Sequence, residues 1–219
     1  MVHSTPTVLA RGPWSPDRVD VRWRRERFEA PAEVERLADE AVRSLAERGS
    51  PAHDGEAARL AGHAEDDGRL TLELQPARWA LRLLERRAQC SLTALCVVRR
   101  ADGSWLAGRR ASWLASWADR WALGAGGAVE VGESPVDTLA RELEEEWRLV
   151  PDELRVEALV VLPSELAMLV GVADVPQGAA PVPDHEHEEF AWWPPHPGAW
   201  PPEADERLRR MGGFLAARN

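Results

Sequence analysis

The stretch GGAVEVGESPVDTLARELEEEWRL, residues 126 to 149, places Glu142, Glu145 and Glu146 at the spacing i, i+3, i+4, just after a glycine-rich run. Carboxylates at that spacing share one helix face and repel one another. A cation among them relieves the repulsion, and an all-oxygen donor set suits magnesium or manganese. The elements that must position them are written in the same stretch. Ser134 reads as a helix N-cap, Pro135 as the first helical residue, and Asp137 completes a capping-box pattern. Leu139, Leu143 and Trp147 recur every four residues and predict a buried stripe. The three glutamates are then expected to face away from the core as a comb, with Arg141 one turn before Glu145 to hold it. Gly126 and Gly127 read as a tight backbone turn where a side chain would clash. The competing reading of a run such as ELEEE is a solvated acidic helix; the glycines, Glu133 and Arg141 at their positions favour the metal site.

The spacing resembles the signature of the Nudix hydrolases, G-x5-E-x7-R-E-U-x-E-E-x-G-U, with U a bulky aliphatic residue. Gly127, Glu133, Arg141-Glu142-Leu143, Glu145-Glu146 and Leu149 fall on its positions, and Arg148 stands where the family has its last glycine. A glycine there commonly ends a helix at positive φ. Arginine is expected to cost about 1 kcal/mol or to force another ending, with Pro151 as a stop close behind.

The resemblance implies a Nudix α/β/α sandwich with a mixed sheet. It also implies metal-dependent hydrolysis of the diphosphate linkage in a nucleoside diphosphate joined to another moiety. By the same resemblance Glu142 and Glu146 are metal ligands for Mg2+ or Mn2+, and Glu145 is a ligand or the base that prepares water. Arg141 orients Glu145, and Glu133 supports the shell. In this family the base can also come from an acidic residue just before the last sheet strand, which makes Glu186, Glu188 and Glu189 candidates; a solvated acidic loop is the plain alternative for them. A zinc site at His185 and His187 lacks further nitrogen or sulfur ligands at suitable spacing. Trp113, Trp117 and Trp121 lie four apart in a loop that this fold places near the nucleobase, where an indole face can stack on a base. Ordinary packing is the default for them. Arg109, Arg110 and Arg120 are candidates to reach the diphosphate. The competing functional class is a catalytically silent Nudix-fold nucleotide-binding module.

The balance of 27 basic against 37 acidic residues, a net charge of −10, argues against a general nucleic-acid binder. Every basic residue is arginine, and lysine, tyrosine and isoleucine are missing, which reads first as genomic base-composition bias. Cys90 and Cys96 lack metal-ligand spacing and suggest a reducing, cytoplasmic setting. The N-terminus lacks the apolar core of a signal peptide and reads as a loose start. Val156 to Val175 is interrupted by Glu157, Pro163, Glu165 and Asp174, so it reads as two strands, and no membrane partner is expected. The expected partner is a small-molecule nucleotide; a homodimer suits the family, and no residue of the chain decides it.

Residues 90–219 read as the Nudix domain: strands over 91–100, 105–110, 155–162, 166–174 and 189–193, and a closing helix over 203–217. Residues 1–89 read as a separate small α+β domain. Val19, Val21 and Trp23 alternate as a strand. Val34 to Leu45 form a helical stripe ending at Gly49 and Pro51, Leu70, Leu72 and Leu74 alternate again, and Pro76 to Arg87 read as a linking helix. This unit resembles the N-terminal extension of Nudix enzymes that cleave UDP-glucose and UDP-galactose, through its helix, the Asp54-Gly55 turn, Arg59-Leu60 and the LTLEL strand. A nucleotide sugar is therefore the expected substrate class. The basic strand Arg22 to Arg27 would support a nucleic-acid-binding role for this unit, but neighbouring acids largely offset it.

Overall fold

The computed structural model describes residues 5–50, 54–114 and 117–217. The elements run β1 (Thr7–Trp14), β2 (Val19–Trp23), α1 (Ala32–Glu47), β3 (Glu56–Asp66), β4 (Arg69–Arg78), β5 (Leu92–Arg100), β6 (Trp105–Arg110), β7 (Trp121–Leu123), β8 (Ala125–Ala128), α2 (Pro135–Trp147), β9 (Glu153–Val161), β10 (Ala167–Val175), β11 (His187–Trp193) and α3 (Glu206–Ala216). An eight-stranded sheet has the order β1-β9-β10-β5-β6-β11, with β7 on β6 and β8 on β5. It is mixed, because β10 pairs with β5 in parallel while β10 pairs with β9 and β11 with β6 antiparallel.

The pleat sends alternate residues of β5 to opposite faces. Leu92, Ala94, Cys96 and Val98 meet the α2 stripe Leu139, Leu143 and Trp147, each of which is fully buried. On the other face Val97 joins Trp105, Val172 and the α3 residues Leu208 and Leu215. The sheet is thus sandwiched between α2 and α3, as the resemblance implies. Among the described residues no helix is long and apolar enough to cross a membrane.

A three-stranded sheet, β2-β4-β3, lies on the α2 side. Its Leu70, Leu72 and Leu74 belong to the same core as Leu139 and Leu143. Helix α1 has its own smaller core, where Val34 and Ala38 meet Ala80, Leu81 and Leu84. Backbone bonds fasten this unit to the motif: Ala58 N–H donates to the Val129 carbonyl at 2.8 Å and Leu60 N–H to that of Cys90 at 2.8 Å.

Three local expectations change. In the stretch read as a loose start, residues 1–4 lie outside the described residues, but Thr7–Trp14 is the edge strand of the large sheet, paired with β9, with Ala10 and Trp14 buried. Its Gly12 and Pro13 read as breakers, but an edge strand tolerates a proline that has no ladder bond to donate. The large sheet therefore takes strands from both sides of the boundary drawn at residue 89. Pro76 to Arg87 forms no helix: Pro76–Arg78 end β4, and Trp79–Leu83 make a short 3-10 turn that packs Ala80 and Leu81 on α1. Packing overrides the helix propensity of its alanine, leucine and arginine.

Arg148 takes the conformation that the missing glycine would take, with φ 53° and ψ 35°. Its N–H donates to the Glu144 carbonyl at 2.9 Å, and Leu149 N–H points to that of Leu143 at 3.5 Å. The Arg148 bond is the single 5→1 bond of an αL ending, and Leu149 is buried with Leu143 in the shared core. The family ending is kept, at the cost of a side chain in the left-handed region.

Arg148→Gly is expected to raise stability by about 0.5–1 kcal/mol, seen as a higher denaturation midpoint, because removal of strain outweighs the extra freedom of the unfolded chain. Residues 90–219 expressed alone, without β1 or the leucines of β4, are expected to lose the cooperative melt of the full chain; an equally sharp transition would show the shared core to be dispensable.

Candidate metal and hydrolysis site

The site begins at β8, which pairs with β5 through Ala94↔Gly127 and Leu95↔Gly126. Gly126 and Gly127 sit in this strand and do not form the turn expected of them; the left-handed glycines are Gly124 and Gly132 on either side. Close approach is what excludes a side chain here. A Cβ on Gly127 would lie 2.1 Å from Glu142 Oε1, and one on Gly126 2.7 Å from the Ala94 carbonyl. Helix α2 starts as expected, with the Ser134 hydroxyl accepting from Val136 N–H at 3.3 Å and Pro135 in its first turn. Trp147 Nε1 donates to the Gly124 carbonyl at 3.0 Å and ties the end of the helix to the turn before β8.

Arg141 organises the acids. Its Nε donates to Glu133 at 2.9 Å, and its Nη1 to Glu142 at 2.8 Å and Glu145 at 3.0 Å. Its reach to Glu145 was expected from spacing; the bonds to Glu133 and Glu142 were not. Glu133 also accepts from Thr138 Oγ1 at 2.7 Å and the Glu130 N–H at 3.2 Å. Burial pushes the Glu133 carboxyl up, but the bonds from Arg141 and Thr138 outweigh it and hold it below the ordinary range.

The three motif glutamates do not form a uniformly exposed comb. Glu145 has a side chain 58% exposed, whereas Glu146 is 4% exposed in all. Glu146 lies on the border between the helix and the sheet, where Oε1 accepts the Gly126 N–H at 2.9 Å. Its Oε2 is buried with no hydrogen-bond partner. Arg110 Nη1 stands 3.9 Å from it and His187 Nε2 3.6 Å. Burial, against the Gly126 bond and the Arg110 charge, pushes the Glu146 carboxyl well above its ordinary value, and repulsion from Glu142 and Glu186 adds to the rise. Burial also raises Glu142; Arg141 opposes the rise and Glu145 reinforces it.

Of the candidates outside the signature, Glu186 joins the cluster, with Oε2 3.1 Å from Arg110 Nη2. Glu188 and Glu189 instead face Arg109, at 3.8 and 3.2 Å. Arg109 is thereby paired along the β6–β11 edge, with Asp119 a third carboxylate at 3.8 Å. Trp117 is exposed, with the Arg120 guanidinium 5.9 Å from its ring. Trp121 packs on Trp193, and Trp113 stacks on His185 with ring centroids 5.3 Å apart and planes 12° apart. His185 and His187 point into different surroundings, one exposed and one buried.

Two residues near the acids were not foreseen there from the sequence. One is His187, weighed only as a zinc ligand. The other is Arg82, half-buried at the end of the 3-10 turn, whose charge lowers the Glu142 carboxyl. Neither belongs to a motif, and only the fold brings them here.

Among the described residues no group of three or more acidic, histidine or cysteine side chains is arranged, as it stands, to hold one ion; Arg141 and Arg110 neutralise the carboxylates instead. The donor set nevertheless fits a hard divalent cation on two counts. Glu142 and Glu146 are both withdrawn from water, and the charge on Glu142 disfavours the ionised form of Glu146. Glu146 Oε2 is a buried acceptor with nothing bound to it, which is costly unless something positive reaches it.

A family model described as the NUDIX domain matches residues 91–211. No curated protein matched the chain in sequence. Among similar solved structures, the MutT protein from Methanosarcina mazei Go1 is 25% identical over 58% of this chain and 94% of that one, with a TM-score of 0.44. A C. elegans Ap4A hydrolase in a binary complex is 20% identical over 57% and 98%, with a TM-score of 0.44. The NUDIX domain of Shewanella oneidensis NrtR complexed with ADP ribose is 19% identical over 58% and 85%, with a TM-score of 0.45. The family match spans more than half of the chain and contains the whole acid cluster, so the chain belongs to the NUDIX family and is a Nudix hydrolase.

Proposed function

We propose that this enzyme hydrolyses the diphosphate linkage of a nucleoside diphosphate joined to another moiety, a nucleotide sugar such as a UDP-sugar being the favoured class, with Mg2+ or Mn2+ at the acid cluster. The observation that carries this reading is the pair of half-buried Glu142 and buried Glu146, held in place by Arg141 and Gly126, with one Glu146 oxygen left without a partner. Members of the family generally use divalent metal ions. Bound here by Glu142, Glu146 and Glu145, the ion would neutralise the diphosphate and acidify a water.

The chain's own residues supply the rest. Arg141 fixes Glu133, Glu142 and Glu145 relative to one another, so their geometry is set before substrate arrives. Glu145, the most exposed of the three motif acids, is the proposed acceptor of the water's proton; Glu186, held by Arg110, is the other candidate. Arg110 and Arg82 provide positive charge for phosphate oxygens on the side facing the N-terminal unit. That unit is built directly onto the motif loop through Ala58 and Val129, which supports the choice of a substrate larger than a simple nucleotide. The free thiols Cys90 and Cys96 support a reducing, cytoplasmic setting for the reaction.

A panel of nucleoside diphosphate compounds incubated with Mg2+ and read by product mass is expected to show a cleaved nucleotide sugar; no turnover of any member with either metal would overturn the reading. Glu146→Gln is expected to lower that turnover by at least about 100-fold. The same variant has a second readout in metal-free protein. The folded pKa of Glu146 lies above its unfolded value. Its stabilising contribution is therefore complete below the unfolded pKa near 4.5 and is lost as pH rises through the folded pKa. Metal-free Glu146→Gln should accordingly melt above wild type at pH 8, with the gap closing toward pH 4.5. A variant that melts below wild type throughout would show the carboxylate to be comfortable where it is.

A further inference from the structure

His187 is a buried polar side chain that the chemistry above does not use. It is 5% exposed, and both ring nitrogens are buried without a hydrogen-bond partner. Trp147 covers one face of the ring, with centroids 4.3 Å apart. Gly108 leaves the room for it: a Cβ there would lie 2.5 Å from His187 Cδ2. Apolar packing accounts for the burial, and a leucine would serve as well. It does not account for two orphaned nitrogens in a region where unpaired polar atoms are costly.

The surroundings say where the ring proton is of use. Nδ1 stands 3.5 Å from Asp184 Oδ1, but that oxygen already accepts the Glu186 N–H at 2.9 Å. Nε2 stands 3.6 Å from Glu146 Oε2, which accepts nothing. A neutral imidazole has one ring proton to place and one ring nitrogen left to accept. On Nε2 that proton meets a buried acceptor with no hydrogen-bond partner, and a small ring rotation brings the pair to hydrogen-bond distance. The backbone favours the contact, since Asp184 N–H donates to the Glu146 carbonyl at 2.9 Å and draws the start of β11 onto the end of α2.

We infer that His187 is a positioning residue for Glu146: its Nε2–H binds Oε2, as the Gly126 N–H binds Oε1, so the carboxylate presents its remaining lone pairs in one fixed direction. The inference rests on the reading of Glu146 as a metal ligand. Neutral donors at both oxygens favour the ionised carboxylate that a cation needs without competing with it in charge, and they arrest its rotation.

The test compares wild type, His187→Gln and His187→Leu in the full chain at pH 7.5. Mn2+ binding is followed by electron paramagnetic resonance and metal-free stability by melting. Glutamine keeps a donor near the position of Nε2; leucine keeps the packing alone. His187→Leu is expected to weaken Mn2+ binding about 10-fold, and His187→Gln to stay within about 3-fold of wild type, even if both melt lower. Equal Mn2+ affinity in the two variants would overturn the positioning role while leaving the metal site intact. Failure of wild type to bind Mn2+ would overturn the metal reading and this inference with it. Nitrogen NMR of the wild-type histidine rings gives an answer that needs no variant: His187 should carry its proton on Nε2, and a proton on Nδ1 would refute the inference.

Discussion

The guanidinium of Arg141 lets a set of mutually repelling acids share one small volume. It bonds to Glu133 from the loop before α2 and to Glu142 and Glu145 on the helix itself. Without it, three carboxylates within two turns would push the loop and the helix apart. Like charges one turn apart cost only a few tenths of a kcal/mol at a surface, but Glu142 and Glu133 are largely withdrawn from water, where Coulomb terms grow. The opposing force comes from the other side of α2. Leu139, Leu143 and Trp147 are fully buried, and each such side chain is worth about 2–5 kcal/mol against truncation. The helix is thus pinned by its apolar stripe with enough margin to carry the electrostatic strain on its polar face.

This balance explains why the signature could be read from residues alone while the exposure of its members could not. The spacing of Leu139, Leu143 and Trp147 gives the direction of the core, and Ser134 and Pro135 give the start of the helix; both hold in the structure. Whether Glu146 faces water depends on β8, β11 and Gly108 closing over it, and no periodicity within α2 reports that. The glycines show the same limit. Their presence is legible, but the reason at Gly127 is the approach of Glu142 from another element. The alternating strands β2 and β4 were also legible, because half-buried strands write their faces into the order of residues, and β5, β9 and β10 showed as short apolar runs. Strand β3, EAARLAGHAED, has alanines where a stronger signal would have bulky residues, and β1 carries a Gly-Pro pair; neither announces itself.

The N-terminal unit is where sequence and structure differ most in meaning. Its secondary structure is local, but its leucines serve the same core as helix α2, and its backbone bonds to the loop between β8 and α2. A substitution at Leu72 would therefore act on the acid cluster through a single layer of side chains. The half-buried Arg82 shows the same coupling by charge: its position is set by α1, and its field is felt at Glu142.

Strand β1 has a consequence for how the chain acquires its structure. Its partner β9 emerges from the ribosome only after roughly 150 further residues have been made. Until then Ala10 and Trp14 have no surface to cover, and the ladder groups of β1 stay open to water. The earliest strand to be synthesised is thus among the last to find its place, closing the sheet only after the acid-bearing helix has been laid down.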